Sequence, residues 1–315
     1  MRAVTVTTPG GPQALTVSEV DRPTPGPGQV LIRVQAAAVN PVDLQTRAGV
    51  YHQLGWVTSA SVGMGWDLAG VVEEVGPAPA DGAPGAGEHA TALARGVLLG
   101  APVAAVHAGV DRPLGAYADF AVLDAAAVAV RPVGLDAVAA ATVPLNGTTA
   151  TQALDLLGAA AGRSLLITGA AGAVGAYAVQ FAVERGFAVT GLARADDEEL
   201  VVEMGAVHTT VLPEGPAFDA VLDAAALGEV ALGAVVDGGA YVGLIPPAVP
   251  APVRGISTTA VMVTPDAEVL TELLRRTAAG ELGARVHSEL ALEHVAAAHA
   301  LVESGGLRGR VVLRP

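Results

Sequence analysis

Three glycines recur at every third position in the segment LLITGAAGAVGAYAVQFAVER: Gly169, Gly172 and Gly175. An apolar run precedes the first glycine, and a stretch with helical spacing follows the second. A strand, a glycine-rich turn and a helix start together bind a pyrophosphate, because glycine lets the backbone approach the anion and the first N–H groups of the helix point at it. The alanine pair 170–171 departs from the usual G-x-G-x-x-G spacing, so the motif depends on this context.

The same segment also permits a second interpretation. It carries no charged side chain from Ser164 to Val183, and about 20 apolar residues are enough to cross a bilayer. A membrane helix would not contain a glycine at every third position followed at once by a change of period. We therefore expect a nucleotide-binding turn, formed by Gly169, Gly172, Ala173, Val174 and Gly175.

The strand FAVTGLAR, about 20 residues further on, indicates which nucleotide binds. NAD-binding folds place an acidic residue at the end of this strand for the ribose 2′-hydroxyl, whereas NADP-binding folds place an arginine near the 2′-phosphate. Here the strand ends at Arg194 and has no carboxylate at its tip. The sequence predicts NADPH as the cofactor, with Arg194 as the phosphate ligand. The alternative is an exposed arginine that pairs with Asp196 or Asp197.

Composition narrows the chemistry further. The 315 residues carry a net charge of −14 and no cysteine, and all 17 basic Lys or Arg positions are arginine. Disulfides, thiolate metal sites, thiol nucleophiles and Schiff-base lysines are therefore excluded. The negative charge disfavours nucleic acid or an anionic membrane as a partner. The segment MRAVTVTTPGGP has no apolar core of signal-peptide length, so we expect a cytoplasmic protein that acts on small molecules.

The elements that position these residues follow from the hydrophobic pattern. The first third is rich in β-branched residues and turn signals, which predicts a compact, partly open β-barrel, with an irregular loop over residues 76–89. From about residue 137, short apolar strands alternate with helical patterns, which predicts a doubly wound parallel sheet covered on both faces. The last fifty residues predict two helices and a closing strand.

The order and spacing of several blocks resemble the medium-chain dehydrogenase/reductase superfamily, in its zinc-free quinone oxidoreductase (zeta-crystallin-like) branch. These blocks are AAAVNPVDLQTRAGVY, GMGWDLAGVVEEVG, GAYADFAVLD, VPLNGTTATQAL, FDAVLDAAA and LRGRVVL. The resemblance implies a GroES-like catalytic domain over residues 1–124, an NADPH-binding Rossmann domain over 125–263, and a return to the catalytic domain over 264–315. It also implies a homodimer.

Zinc-dependent members of this superfamily use a cysteine near the first block and a histidine in a Gly-His-Glu turn. Asn40 to Asp43 stand at the first place, and Trp66 with Asp67 stand at the second. The catalytic zinc site cannot be built in its usual form from these residues. The four-cysteine structural zinc site of the superfamily cannot be built either, because the chain has no cysteine. Alcohol oxidation is then disfavoured, because nothing would lower the pKa of the alcohol. Hydride transfer to a quinone or an α,β-unsaturated carbonyl, which is already electrophilic, remains feasible.

The resemblance also assigns roles to individual residues. Tyr51 would hydrogen-bond the acceptor carbonyl or donate a proton, or else pack as a rim tyrosine. Asn40 would lie at the cofactor and donate to the acceptor oxygen, and Asp43 would orient Asn40 or hold the local turn. Thr149 would approach the nicotinamide, cap a helix N-terminus, or do both. Asp67 is expected to be structural.

The sequence thus predicts an enzyme, an NADPH-dependent reductase of quinones or α,β-unsaturated carbonyls. One alternative is an enoyl-thioester reductase of a biosynthetic pathway, and another is an NADPH-binding sensor or structural protein without turnover. Arg254 would meet an anionic substrate group or be solvated. His299 is expected to pack on an apolar helix face with Val295 and Val302.

Overall fold

The computed structural model describes residues 1–315, which form two compact units. Unit 1 comprises Met1–Leu145 and Thr264–Pro315, and unit 2 comprises Asn146–Val263. The strands are β1 (Arg2–Val6), β2 (Thr16–Glu19), β3 (Gln29–Ala38), β4 (Val62–Gly63), β5 (Asp67–Val75), β6 (Pro102–Val106), β7 (Phe120–Asp124), β8 (Val128–Val130), β9 (Ser164–Thr168), β10 (Ala188–Leu192), β11 (Val207–Thr209), β12 (Phe218–Asp223), β13 (Val235–Gly243), β14 (Ser257–Ala260), β15 (Val286–Ala291) and β16 (Arg310–Arg314). The α-helices are α1 (Pro41–Ala48), α2 (Val50–Gln53), α3 (Ala86–Ala94), α4 (Ala137–Ala141), α5 (Pro144–Leu157), α6 (Ala173–Glu184), α7 (Glu198–Glu203), α8 (Glu229–Leu232), α9 (Ala267–Ala278) and α10 (Val295–Glu303).

Unit 1 is built on two sheets. The larger has the order β15-β16-β3-β5-β6-β8, with β7 also paired to β3, and the smaller has the order β2-β1-β4. All pairs are antiparallel except β15 with β16. The central strand β3 buries Val30, Leu31 and Ile32 in succession, as expected of a strand covered on both faces. The prediction of a partly open, GroES-like β-barrel is confirmed.

Two helical segments of unit 1 differ from the sequence-based interpretation. Residues 41–53, which lie in the β-rich third of the chain, form α1 and α2. Helix α3 begins at Ala86, inside the segment 76–89 that was predicted to be an irregular loop. Gly85, which has a φ of 85°, immediately precedes the helix. The alanine-rich stretch that follows has a high helix propensity, so the predicted loop was too long.

The first domain boundary also lies elsewhere. The sequence-based division began the nucleotide domain at residue 125, whereas residues 125–145 belong to unit 1. Strand β8 pairs with β6 of the larger sheet, from Val103 with Val130 to Ala105 with Val128. Helix α4 contacts β3 and β5. These contacts place the segment with the barrel.

Unit 2 contains a six-stranded parallel sheet in the order β11-β10-β9-β12-β13-β14. Numbered from β9 as the first strand, this order is 3-2-1-4-5-6, the order of the dinucleotide-binding Rossmann fold. Leu166 of β9 and Val221 of β12 are paired neighbours and fully buried. The predicted doubly wound parallel sheet is confirmed.

The structure also decides between the two interpretations of the glycine-containing segment. Residues 164–185 form β9, a turn and α6, whose 12 residues span about 18 Å at 1.5 Å per residue. A bilayer core is about 30 Å thick. None of the ten helices has both the length and the apolar character that a membrane crossing requires.

Candidate active site

The candidate catalytic residues of unit 1 are organised around the start of α1. Asn40 is the N-cap residue, and Pro41 takes the first helical position, where a missing N–H costs nothing. Asp43 Oδ2 accepts the backbone N–H of Asn40 at 2.9 Å and the Tyr117 hydroxyl at 2.9 Å. Asn40, Asp43 and Tyr117 are all buried. Asp43 therefore holds the local turn, and Tyr117 is a partner that the sequence did not indicate.

Asn40 is joined to Asp67 across 27 positions of sequence. Its Nδ2 donates to Asp67 Oδ2 at 2.8 Å and to the Ala38 carbonyl at 3.3 Å. The other carboxylate oxygen, Oδ1 of Asp67, accepts the Leu145 N–H at 2.7 Å. The amide group of Asn40 thus donates to protein acceptors in this structure, and its donation to the acceptor oxygen stays a prediction. The buried Asp67 carboxyl group therefore links the segment of Asn40 to the segment of Leu145, both in unit 1.

The two carboxyl groups lie in an environment that disfavours their charge. Burial raises the pKa of Asp43 to about 6 and the pKa of Asp67 to about 7. The hydrogen bond from Asn40 and the Leu145 N–H oppose this effect at Asp67, and the nearby Arg112 guanidinium opposes it at Asp43. Arg112 donates to the carbonyls of Gly65 and Gly109. No motif in the sequence had indicated Arg112.

Tyr51 lies on the short helix α2, where its side chain is buried. Its hydroxyl donates to Oε1 of Gln45 at 2.7 Å. Its ring stacks on Trp56, with centroids 5.6 Å apart and ring planes 12° apart. Burial raises the pKa of Tyr51 to about 12, and the Asp43 charge acts in the same direction. The phenol is therefore protonated at neutral pH, and its single O–H is donated to Gln45 in this structure.

In unit 2 the glycine turn joins β9 to α6. Gly169 has a φ of 60°, a conformation that favours glycine, and Gly172 is the N-cap of α6. A Cβ on Gly175 would lie 2.1 Å from the Gly169 carbonyl oxygen. Ala173 and Val174 form the first turn of α6, where backbone N–H groups have no partner within the helix. The turn therefore fits the pyrophosphate of a dinucleotide.

A buried carboxylate fixes the strand ends beside this turn. Asp223, the last residue of β12, accepts hydrogen bonds from the Tyr241 hydroxyl at 2.6 Å, the Gly228 N–H at 2.8 Å and the Thr168 hydroxyl. Thr168 Oγ1 accepts the Ala225 N–H at 3.0 Å. The network ties β9, β12 and β13 together immediately before Gly169. The sequence identified β12 as a strand but gave no signal for this network.

Arg194 follows β10, as the sequence predicted for a phosphate ligand, and its side chain is 60% exposed. Its Nε pairs with the buried Asp197 Oδ2 at 3.2 Å, so the alternative pairing also occurs. The His208 ring nitrogen Nε2 lies 3.1 Å from the Arg194 carbonyl oxygen. This ion pair is formed by Nε of Arg194, and the two Nη groups of Arg194 take no part in it.

The remaining candidates occupy other positions. Thr149 is buried within α5, which begins at Pro144, so the alternative of an N-terminal cap is wrong. Arg254 pairs with Asp237 at 2.9 Å and donates to the Leu232 carbonyl at 3.3 Å, so this side chain is engaged by its own unit. His299 is buried on α10, edge-on to Tyr117 at 5.9 Å, and burial lowers its pKa to about 3.

The structure contains no group of three or more His, Asp or Glu side chains placed to hold a metal ion. The resemblance places Asn40 to Asp43, and Trp66 with Asp67, where zinc-dependent members carry ligands, and the oxygens of Asp67 accept two N–H groups of the protein. Zinc prefers thiolate, imidazole and carboxylate ligands in a tetrahedral set. Asn40 and Asp67 do not provide such a set.

Two family models match the chain. The alcohol dehydrogenase GroES-like domain matches residues 26–133, and the zinc-binding dehydrogenase model matches residues 201–313. A quinone oxidoreductase of Lama guanicoe is 34% identical over 212 residues, which cover 66% of this chain and 57% of that protein. A chloroplastic NADPH-dependent alkenal/one oxidoreductase of Arabidopsis thaliana is 29% identical over 299 residues, which cover 91% of this chain and 72% of that protein.

Among solved structures, the quinone oxidoreductase of Coxiella burnetii superposes with a TM-score of 0.81 at 24% identity, covering 100% of this chain and 99% of that one. A GroES-like barrel unit and a Rossmann unit in one chain define a pyridine-nucleotide oxidoreductase. The chain belongs to the medium-chain dehydrogenase/reductase superfamily, and it is similar to quinone oxidoreductases within it.

Proposed function

We propose that the protein is an NADPH-dependent oxidoreductase that reduces a quinone or an α,β-unsaturated carbonyl without zinc. The observation that carries the proposal is the environment of Tyr51. A buried, protonated phenol is held by Gln45 at 2.7 Å, and it lies on the helix that follows the Asn40–Asp43 turn. Turned away from Gln45 Oε1, the Tyr51 hydroxyl would donate to a carbonyl oxygen. Asn40 and Asp67 do not form a zinc site.

The cofactor assignment rests on unit 2. NADPH would supply the hydride when bound. The turn from Gly169 to Gly175 would hold its pyrophosphate, since only glycine fits at position 175, and the helix start attracts an anion. The Nη groups of Arg194 would bind the 2′-phosphate while Asp197 holds Nε.

The residues of unit 1 would act on the acceptor. For an enone, the Tyr51 hydroxyl would turn from Gln45 Oε1 to the carbonyl oxygen, and once the β-carbon had received hydride its proton would pass to the enolate. The phenolate is then reprotonated from water. When hydride adds to a quinone, the product is an oxygen anion that water protonates directly. Tyr51 is therefore needed more for enones than for quinones.

The first test compares NADPH with NADH oxidation by the purified protein, using 1,4-naphthoquinone, cyclohex-2-en-1-one and crotonyl-coenzyme A as acceptors. We expect turnover with NADPH on the quinone or the enone. Turnover on the thioester alone would replace the proposal with an enoyl-thioester reductase. Tight NADPH binding without turnover on any of the three would favour the sensor.

Replacing Arg194 by alanine should raise the Kd of NADPH by about 10- to 100-fold and leave the Kd of NADH unchanged. A hydrogen bond to a charged group contributes about 1.5–3 kcal/mol, and NADH lacks the 2′-phosphate. Fluorescence titration with each nucleotide measures the effect. Arg185→Ala is the matched control, since Arg185 is also an exposed arginine of unit 2 and pairs with Asp155 at 2.7 Å. An equal rise in the Kd of NADPH and of NADH in Arg194→Ala would contradict the assignment of Arg194 to the 2′-phosphate.

Replacing Tyr51 by phenylalanine should lower kcat for cyclohex-2-en-1-one by about 100-fold, the lower end of the effect of a general acid. The kcat for 1,4-naphthoquinone should fall by less than about tenfold, because water protonates that product. Each acceptor serves as the control for the other in the same preparation. If Tyr51→Phe reduces the enone at the wild-type rate, the phenol is not the proton donor.

A further inference from the structure

Trp56 stands out among the side chains near Tyr51. It is one of two tryptophans in the chain, and it is 42% exposed. Its indole stacks nearly parallel on the Tyr51 ring, at 5.6 Å between centroids and 12° between planes. Tyr51 is buried, so the stack joins the interior of unit 1 to an aromatic surface that solvent reaches.

The backbone that carries Trp56 is fixed on both sides. The N–H groups of Trp56 and Val57 donate to the Tyr51 carbonyl at 2.9 and 3.2 Å. Immediately afterwards, the Asp111 carboxylate accepts the Thr58 N–H and hydroxyl, each at 3.0 Å, and the Ser59 N–H at 3.3 Å. The Ser59 side chain, together with these hydrogen bonds, lowers the pKa of Asp111 to about 2, so the carboxylate is charged at neutral pH. The indole is thereby positioned before any ligand arrives.

A preorganised aromatic ring of this kind recognises planar ligands. Binding to it costs little ordering of the protein, and offset stacking of two rings adds to the apolar area that they bury. A quinone ring is flat and electron-poor, and it therefore complements the electron-rich indole. Cyclohex-2-en-1-one is puckered and has no aromatic face. The Tyr51 ring is buried and donates its hydroxyl to Gln45, so it supports the indole from the protein interior and leaves the exposed part of the indole for a ligand.

We propose that Trp56 is the stacking platform for the acceptor and that the acceptor is a planar conjugated ring, a quinone rather than an aliphatic enone. This inference rests on the proposed function and narrows its substrate class. Tyr51 holds one side of the indole, and Asp111 fixes the loop that carries it. Trp56 is then a specificity-determining residue.

The test is equilibrium dialysis of 1,4-naphthoquinone and of cyclohex-2-en-1-one against the full-length protein with NADP⁺ added, so that no turnover occurs. The chain has no cysteine or lysine, so the quinone meets no side-chain thiol or amine that it could alkylate. Trp56→Leu keeps an apolar side chain without a ring, and Trp56→Phe restores a ring. Leu54→Ala is the matched control, because Leu54 is 43% exposed and lies two positions away.

We expect Trp56→Leu to weaken naphthoquinone binding by about three- to tenfold, the range that corresponds to one aromatic pair, and Trp56→Phe to recover most of the loss. Leu54→Ala should bind naphthoquinone as the wild type does, and no variant should change binding of the enone. Unchanged naphthoquinone binding in Trp56→Leu would overturn the proposal. If Trp56→Leu weakened binding of the quinone and of the enone equally, the proposal would also be overturned. Buried apolar area, and not ring stacking, would then account for the affinity.

The dialysis result is independent of the NADPH oxidation assay. A protein that binds naphthoquinone through Trp56 but oxidises no NADPH would refute the proposed function and leave the platform in place. A protein that reduces naphthoquinone with the same KM in the wild type and in Trp56→Leu would support the function and refute the platform. Thermal unfolding of each variant, followed by circular dichroism, verifies that the fold is retained.

Discussion

Replacing Gly175 by alanine is expected to abolish nucleotide binding and to lower the free energy of unfolding by about 3 kcal/mol or more, the upper part of the range for overpacked sites. The added Cβ would lie 2.1 Å from the carbonyl oxygen of Gly169, 2.8 Å from its carbonyl carbon and 3.0 Å from Cα of Ala170. All three are backbone atoms, which cannot rotate away as the end of a side chain can. The turn must open, and with it the site for the pyrophosphate.

Alanine substitutions at two further glycines serve as comparisons for this prediction. At Gly215, also in unit 2, a Cβ would meet no atom within 4 Å and φ is not in the left-handed region, so Gly215→Ala should leave stability and binding unchanged. At Gly172 the Cβ would lie 2.9 Å from the Gly169 carbonyl oxygen, so Gly172→Ala should have an intermediate effect. Urea unfolding and NADPH titration measure both quantities. Wild-type affinity in Gly175→Ala would show that the nucleotide does not use this turn.

The elements around this turn could be predicted because their signals are local. The apolar run of β9, the three glycines and the helical spacing of α6 follow one another within about 20 residues, and each has its own period. The alternation of strands and helices then identifies a parallel sheet without knowledge of any contact. The same logic failed at residues 125–145, because β8 has only three residues and joins unit 1 by pairing with β6, a distant segment.

The contacts of the candidate site could not be predicted for a related reason. Asn40 and Asp67 were each identified, but their hydrogen bond depends on how α1 and β5 meet, which no periodicity encodes. Gln45 and Trp56 likewise could not be identified as site residues from the sequence, because only their contacts with the Tyr51 side chain place them in the site. Asp223 and Tyr241 lie on adjacent strands, where Tyr241 is two positions before the residue that pairs with Asp223. Only the register brings the two side chains together.

Replacing Asp67 by asparagine should change how stability depends on pH. Burial raises the pKa of the Asp67 carboxyl from 3.8 to about 7, so between about pH 4 and pH 7 the folded protein holds a proton that the unfolded chain has lost. The free energy of unfolding therefore falls as pH rises through this window, and above it the loss is complete. A pKa difference of one unit corresponds to about 1.4 kcal/mol, so the change amounts to a few kcal/mol. Asp43, with a pKa raised to about 6, contributes with the same sign.

Asparagine at position 67 keeps the shape of the side chain but carries no titratable proton and only one oxygen acceptor. At pH 5, where the Asp67 carboxyl is neutral in the folded protein, Asp67→Asn should be less stable than the wild type by about 1 kcal/mol, the usual contribution of one hydrogen bond. At pH 8 that deficit should vanish or reverse, because the wild type then carries a buried charge. Urea unfolding at several pH values measures the difference in stability, and Asp81→Asn, at an exposed position, provides the control.

A stability difference that stays constant from pH 5 to pH 8 would mean that Asp67 titrates like an exposed acid. The hydrogen bonds from Asn40 and the Leu145 N–H would then offset the effect of burial in full, and the Asp67 carboxyl group would be anionic at neutral pH.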